Sequence, residues 1–183
     1  MIRNATIDDS AAISTIYNHY VLHTVVTFEE EPVTPIQMVK RVADVQAKFP
    51  WLVYELEGKV VGYAYANAWK PRSAYRNTVE SSVYLDPAYT GKGFGRALYE
   101  TLIKRLETLS LHCVIGGVAL PNEVSIRLHE SMGFKKVGQL TEVGMKFGKW
   151  IDVGYWNLIL TSTQIQGQDS ENEAALKHVE NYY

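Results

Sequence analysis

The chain has 183 residues, 46% of them apolar, with a formal net charge of −2 and one cysteine. That length suits a single domain able to bury its own core without disulfide staples. The near-neutral charge argues against nucleic acid or an anionic membrane surface as a main partner. The lone Cys113 excludes an intrachain disulfide and a multi-cysteine zinc site, which fits a reducing, cytoplasmic compartment.

In chain order, "IRNAT" reads as a first strand, and Asp8 or Asp9 then caps a helix with Ile13, Ile16, Tyr17 and Tyr20 on its apolar side. The N-terminal stretch lacks the apolar centre of a signal peptide, and no run approaches the ~20 apolar residues of a membrane span. "TFEEEPVTP" is a loop, and Thr34-Pro35 supplies an N-cap and a first-turn proline for a second helix to about Lys48. "WLVYEL" and "VVGYAYANAW" flank Glu57-Gly58-Lys59 as a hairpin. "KPRSAYRN" is a basic loop, and "TVESSVYLD" alternates as a strand that puts Glu80, Ser82 and Tyr84 on one face.

From Gly91 to about Ser110 the pattern is an amphipathic helix with Leu98, Leu102, Leu106 and Leu109 on one side. "HCVIGGVAL" follows as an apolar strand. Pro121-Asn122 opens a helix through Met132 that Gly133 ends, and "FKKVGQL" and "DVGYWNLIL" read as late strands. From Thr161 the chain turns polar and reads as a tail, with or without a short helix. The alternation of strands and helices predicts one mixed α/β layer over residues 1–160.

The most informative stretch is "VYLDPAYTGKGFGRAL", Val83 to Leu98, where a strand meets three glycines and then a helix. A nucleotide P-loop needs G-x-x-x-x-G-K-[ST], and Gly91-Lys92-Gly93 lacks both the spacing and the hydroxyl residue. A dinucleotide fingerprint needs G-x-G-x-x-G, and the glycines here are Gly91, Gly93 and Gly95. A third reading is a pyrophosphate held by successive amides at a helix N-terminus, with Lys92 and Arg96 adding charge. A tight turn that merely starts a helix is the plain alternative.

Two stretches carry a family resemblance. "YLDPAYTGKGFGRALYETLI" resembles the acetyl-CoA motif of the GNAT superfamily, the GCN5-related N-acetyltransferases, with Thr90 or Tyr89 standing where that motif has Gln or Arg. "NEVSIRLHESMGF", Asn122 to Phe134, resembles its second signature, an asparagine before a helix that ends in Gly-Phe. With "VGMKFGKWIDVGYW", these stretches look like the branch that acetylates phosphinothricin and methionine sulfoximine.

The resemblance implies a GNAT fold, a mostly antiparallel mixed sheet flanked by helices, and acetyl-CoA as co-substrate with no metal. It implies that Val83, Tyr84 and Leu85 pair with the pantetheine arm, and that the amides of Gly91, Lys92, Gly93, Phe94, Gly95 and Arg96 take the pyrophosphate. Asn122 is expected to hydrogen-bond the pantetheine, a role compatible with capping its helix.

Glu80 is the candidate general base, although a carboxylate near pKa ~4.3 needs burial or a relay water to deprotonate an ammonium. His129 stands seven residues after Asn122, where many relatives place a tyrosine that protonates the leaving thiolate. It is a candidate acid or only a lining residue. Arg72, Tyr75 and Arg76 suit the carboxylate and phosphinate of an amino-acid-like acceptor, since arginine binds both bidentately. Phe28, Glu29, Lys146 and Trp150 are further candidates for the acceptor pocket, and the branch resemblance implies a homodimer with that pocket near the subunit boundary. A polyamine or protein N-terminus as acceptor, or a non-catalytic acyl-CoA sensor, are the competing readings. His19 and His23 are spaced as metal ligands on a helix but lack an evident third, and Cys113 beside His112 reads as an apolar strand position.

Overall fold

The computed structural model describes residues 1–160. The tail expected from Thr161 lies outside the described residues. Seven strands form one sheet: β1 (Ile2–Asn4), β2 (Trp51–Leu56), β3 (Lys59–Ala68), β4 (Thr78–Leu85), β5 (Cys113–Ala119), β6 (Lys135–Lys146) and β7 (Lys149–Ile159). Four helices cover it: α1 (Ser10–His23), α2 (Pro35–Gln46), α3 (Phe94–Glu107) and α4 (Glu123–Ser131). The strand order is β1-β2-β3-β4-β5-β7-β6, and every pairing is antiparallel except β4 with β5. This is the mixed, mostly antiparallel layer expected from the sequence.

Strand alternation sends neighbouring residues to opposite faces, so the sheet carries two cores. On one face Ala64, Ala66 and Val79 meet Leu98, Leu102 and Leu106 of α3, all without exposed surface, together with Tyr99, Phe134 and Trp156. Each such leucine contributes ~1.5–3 kcal/mol through burial. Leu109 is not on that stripe. The helix ends at Glu107, and Leu109 is 44% exposed. On the other face Tyr63, Trp51 and Val53 meet Ile13, Ile16, Tyr17 and Val21 of α1 and Met38 and Val42 of α2.

Local chemistry sets the element ends. Thr34 accepts from the Gln37 amide while the Gln37 side chain returns to the Thr34 amide, a complete capping box ahead of Pro35. Glu57 and Gly58 both have positive φ between Leu56 and its partner Lys59, as a tight primed hairpin turn requires. Phe147 and Gly148 repeat that geometry between Lys146 and Lys149. The late strands are therefore longer than the sequence pattern predicts, forming a hairpin that carries "GMKFGKW" at its tip.

Candidate functional site

The site starts from a break in the sheet. β4 and β5 pair in parallel only at Thr78↔Cys113, Val79↔Val114 and Glu80↔Ile115. Both strands run on, β4 to Leu85 and β5 to Ala119, without pairing to each other again. At the point of divergence the Ser81 hydroxyl donates to the Ile115 carbonyl at 3.2 Å and meets the Tyr99 hydroxyl at 2.7 Å. Beyond Ser81 one edge of β4 faces a small cavity of about 70 Å³, lined by Ser82, Val83, Tyr84, Gly117, Ser125 and His129 among others. An open strand edge offers unpaired backbone groups to an extended ligand arm.

Glycines in β5 make room there. A Cβ on Gly116 would stand 2.3 Å from His129 Nε2, and one on Gly117 would stand 3.0 Å from Glu80 Oε1. Read in sequence as an apolar strand, "HCVIGGVAL" gave no hint that these two positions face opposite sides of the cleft.

The end of β4 leads into the glycine loop. The Tyr20 hydroxyl donates to the Leu85 carbonyl at 2.7 Å and fixes the strand end. Asp86 accepts from the Ala88 amide and pairs with Lys59 at 2.9 Å, which shapes the turn over Pro87–Tyr89. Gly91 and Gly93 have φ of 72° and 82°, left-handed values that a side chain resists, and Gly93 is the N-cap of α3. The first amides of a helix have no intrahelical partner, so Phe94, Gly95 and Arg96 present donors at the positive end of the helix dipole.

The loop side chains are engaged within the chain. Lys92 donates to the Ala88 carbonyl at 3.0 Å, Arg96 pairs with Glu100 at 2.7 Å, and the Phe94 ring packs on Tyr54. A bound anion therefore meets backbone amides first, and the two cations only after they exchange exposed partners.

Asn122 caps α4, its Oδ1 accepting from the Ser125 amide at 3.0 Å. One turn beyond Ser125, His129 is buried between Tyr99 and Phe134. Its Nδ1 lies 2.8 Å from the Ser125 carbonyl, which can only accept, so Nδ1 carries the proton and Nε2 presents a lone pair. Burial lowers the His129 pKa, opposed in part by that carbonyl, and the ring is neutral at pH 7.

Glu80 stands on the opposite face. It lines a cavity of about 210 Å³ with Val26, Phe28, Gly117, Ala119, Val153 and Tyr155. Burial raises its pKa, and among the described residues no side chain is hydrogen-bonded or ion-paired to it. Tyr155 is pushed up as well, first by burial and then by the Glu80 charge. Of the acceptor-side candidates from the sequence, Phe28 alone shares this cavity with Glu80. Glu29 lines a separate cavity of about 320 Å³ with Tyr17, Arg41 and Tyr65, taking Arg41 at 2.6 and 2.9 Å and the Tyr17 hydroxyl at 2.8 Å. Lys146 is buried, with its ammonium on the Thr27 carbonyl at 2.7 Å. Trp150 is 61% exposed on the outer face of the hairpin beside Met145. Arg72, Tyr75 and Arg76 sit on the exposed loop between β3 and β4, which reaches the cavity through Trp69 packed edge-on against Tyr155.

The sequence of residues 2–154 matches the family model described as an acetyltransferase (GNAT) domain. The chain belongs to the GNAT acetyltransferases. A phosphinothricin N-acetyltransferase of Streptomyces viridochromogenes is 44% identical over 155 residues, 85% of each chain. An L-methionine sulfoximine/L-methionine sulfone acetyltransferase of Salmonella typhimurium is 41% identical over 87% of this chain and 94% of that one. Among solved structures, a GNAT phosphinothricin acetyltransferase of Sinorhizobium meliloti in complex with acetyl-CoA superposes with a TM-score of 0.87 at 34% identity, covering 92% of this chain and 93% of its own.

This GNAT protein is an acyltransferase, and its Sinorhizobium meliloti neighbour was solved with acetyl-CoA bound. Its own geometry fits that molecule: an open strand edge for an amide-bearing arm, left-handed glycines where backbone must approach closely, and a helix N-terminus for phosphates. Tyr155, Gly116 and Gly117 are the residues at this acetyltransferase site that sequence reading did not single out. The sequence signal of the two glycines was their pairing in an otherwise apolar strand, and Tyr155 read as one more strand aromatic.

Proposed function

We propose that this protein transfers the acetyl group of acetyl-CoA to the α-amine of a small amino-acid-like acceptor, with phosphinothricin and methionine sulfoximine or sulfone as the leading acceptors. The supporting observation is the placement of Glu80. It is a half-buried carboxylate with no ion-pair partner among the described residues, standing where β4 and β5 part. Acetyl-CoA supplies an activated thioester carbonyl in the cleft on one face, and the acceptor amine approaches through the Phe28–Tyr155 cavity on the other.

The amine arrives as an ammonium and must lose a proton before it can attack. Glu80 takes that proton, directly or through one water. Its raised pKa narrows the gap to the amine. Unpaired β4 amides beyond Ser81 are aimed into the cleft side and are candidates to stabilise the oxyanion that develops at the thioester. Val83, Tyr84 and Leu85 hold the pantetheine arm through backbone, the amides of Gly91 to Arg96 hold the pyrophosphate, and Asn122 offers its side-chain amide. We assign His129 to the wall of the thioester end. With its Nδ1–H donated to the Ser125 carbonyl, a neutral ring presents only a lone pair at Nε2 and has no proton to give a departing thiolate.

Arg72 and Arg76, exposed on the loop between β3 and β4, are the candidates for the acceptor carboxylate and its phosphinate or sulfoximine oxygen. A polyamine would meet these cations unfavourably. The same reading takes residues 1–160 as one catalytic domain that works in the cytoplasm as a homodimer. Trp150, Met145 and Phe147, each more than half exposed on the hairpin, support a covered apolar face. Herbicide resistance is the phenotype expected of a cell making it.

The test is CoA release by purified protein from acetyl-CoA with phosphinothricin, methionine sulfoximine, methionine sulfone, ordinary amino acids and spermidine. Saturable turnover on the first three with little on spermidine is expected. Tight CoA binding without turnover on any amine refutes the acceptor assignment.

A further inference from the structure

Lys146 is 1% exposed, one of the largest fully buried side chains in the protein. Lysine is almost never fully buried unless paired. Its ammonium donates to a backbone carbonyl, Thr27 O, at 2.7 Å across 119 residues of sequence, and among the described residues it makes no salt bridge. Glu30 and Glu29 act on its charge only from a distance. A methionine of similar length would avoid the desolvation of a cation, so stability alone is a poor account of a lysine here.

The segment that Lys146 holds is gripped from several sides. Thr27 Oγ1 meets the Tyr17 hydroxyl at 2.8 Å and accepts from the Glu29 amide at 3.3 Å. Glu29 takes a bidentate contact from Arg41 of α2 and a hydrogen bond from Tyr17 of α1. On the hairpin side, β6 packs its backbone on the Phe28 ring at Gly144, where a Cβ would come 2.2 Å from Phe28 Cε2. Phe28 lies against the hairpin while its neighbours Thr27 and Glu29 are tied to the helices, and it is the residue of the Thr27–Glu29 segment that lines the 210 Å³ cavity with Glu80.

We propose that Lys146 is a positioning residue for the acceptor: from the β6–β7 hairpin it fixes the Thr27–Glu29 strap, and so sets where the Phe28 ring stands opposite Glu80. Lys146 does not itself line that cavity, so it acts through Phe28. Arg41 and Glu29 are the second anchor of the same strap. This inference rests on the acceptor reading of the cavity given above.

The full chain carrying Lys146→Met tests it with two readouts. The acceptor KM is expected to rise roughly fivefold or more while the KM for acetyl-CoA stays within about twofold, because only the acceptor side has moved. Amide hydrogen exchange is expected to accelerate over Val26–Glu29 and to stay unchanged in β4 and α3. Glu29→Gln, at a partly exposed site, releases the other anchor and is expected to give the same pair of changes if the lysine variant does not fold. An unaltered acceptor KM, equal changes in both KM values, or unaltered exchange over Val26–Glu29 overturns the proposal. Should the wild-type protein turn over no amino-acid-like amine, the function reading fails by itself, and hydrogen exchange alone then decides the strap.

Discussion

Replacing Glu80 by glutamine removes the proposed base with almost no change of volume, and it separates activity from stability. General acid–base catalysis contributes ~10²–10⁴-fold, so the loss in kcat/KM should fall in that range, equivalent to roughly 3–5 kcal/mol of barrier. Stability should move the opposite way. Burial raises the Glu80 pKa above 4.5, and no hydrogen bond or ion pair among the described residues offsets the charge. From pH 4.5 upward the folded protein therefore holds a proton that the unfolded chain has released. Its stability falls as pH rises through that interval and levels off above the folded-state pKa. The glutamine variant lacks this segment. The difference in Tm, variant minus wild type, should grow with pH from the acid side and then become flat. In the wild type the acid limb of kcat/KM should titrate at a pKa above the ordinary glutamate value, and the limb should vanish in the variant. Steady-state CoA release across pH, with thermal melts in the same buffers, measures both. A glutamine variant that keeps more than a tenth of the activity refutes the assignment of the base. A Tm difference independent of pH refutes the argument from burial.

Gly93→Ala meets no atom within 4 Å but forces a side chain into the left-handed region at φ 82°. It should lower stability by ~1–2 kcal/mol and raise the KM for acetyl-CoA more than that for the acceptor, measured by melts and by two-substrate kinetics. Gly116→Ala drives a methyl into His129, whose ring is confined by Tyr99 and Phe134. Tm should drop by an amount equivalent to ~1–3 kcal/mol, with kcat falling too. Arg3→Met leaves the buried Asp9 carboxylate without its bidentate partner at 2.7 and 2.8 Å, and stability should fall by ~2 kcal/mol at pH 7. Arg3 holds the Asp9 pKa below 3.8, so the stability it adds is present above that pH and fades as pH falls. Acid melts of the variant should show a shallower slope for that reason.

Local chemistry carried much of this protein into view. The primed turn at Glu57-Gly58, the capping box at Thr34, the Asn122 cap and the left-handed glycines ahead of α3 depend on neighbours a few residues away. Their sequence patterns were readable for that reason, as was the face shared by Glu80, Ser82 and Tyr84. The family was legible because those local devices recur in a fixed order along the chain.

What the tertiary structure alone decided depends on partners distant in sequence. Lys146 reads as a pocket residue, yet the Thr27 carbonyl claims its ammonium across 119 residues, and Glu29 lines a cavity with Arg41 rather than the one that holds Glu80. The Gly116-Gly117 pair read as an apolar strand until His129 and Glu80 arrived on its two sides. The divergence of β4 from β5 depends on strands that pair with each of them on the far side, β3 and β7, and no window of sequence contains both. Hydrogen bonds and side-chain volume act over a few ångströms, whatever the separation along the chain. The sequence by itself determined the local devices and the order in which they come; only the folded sheet decided which of them face Glu80.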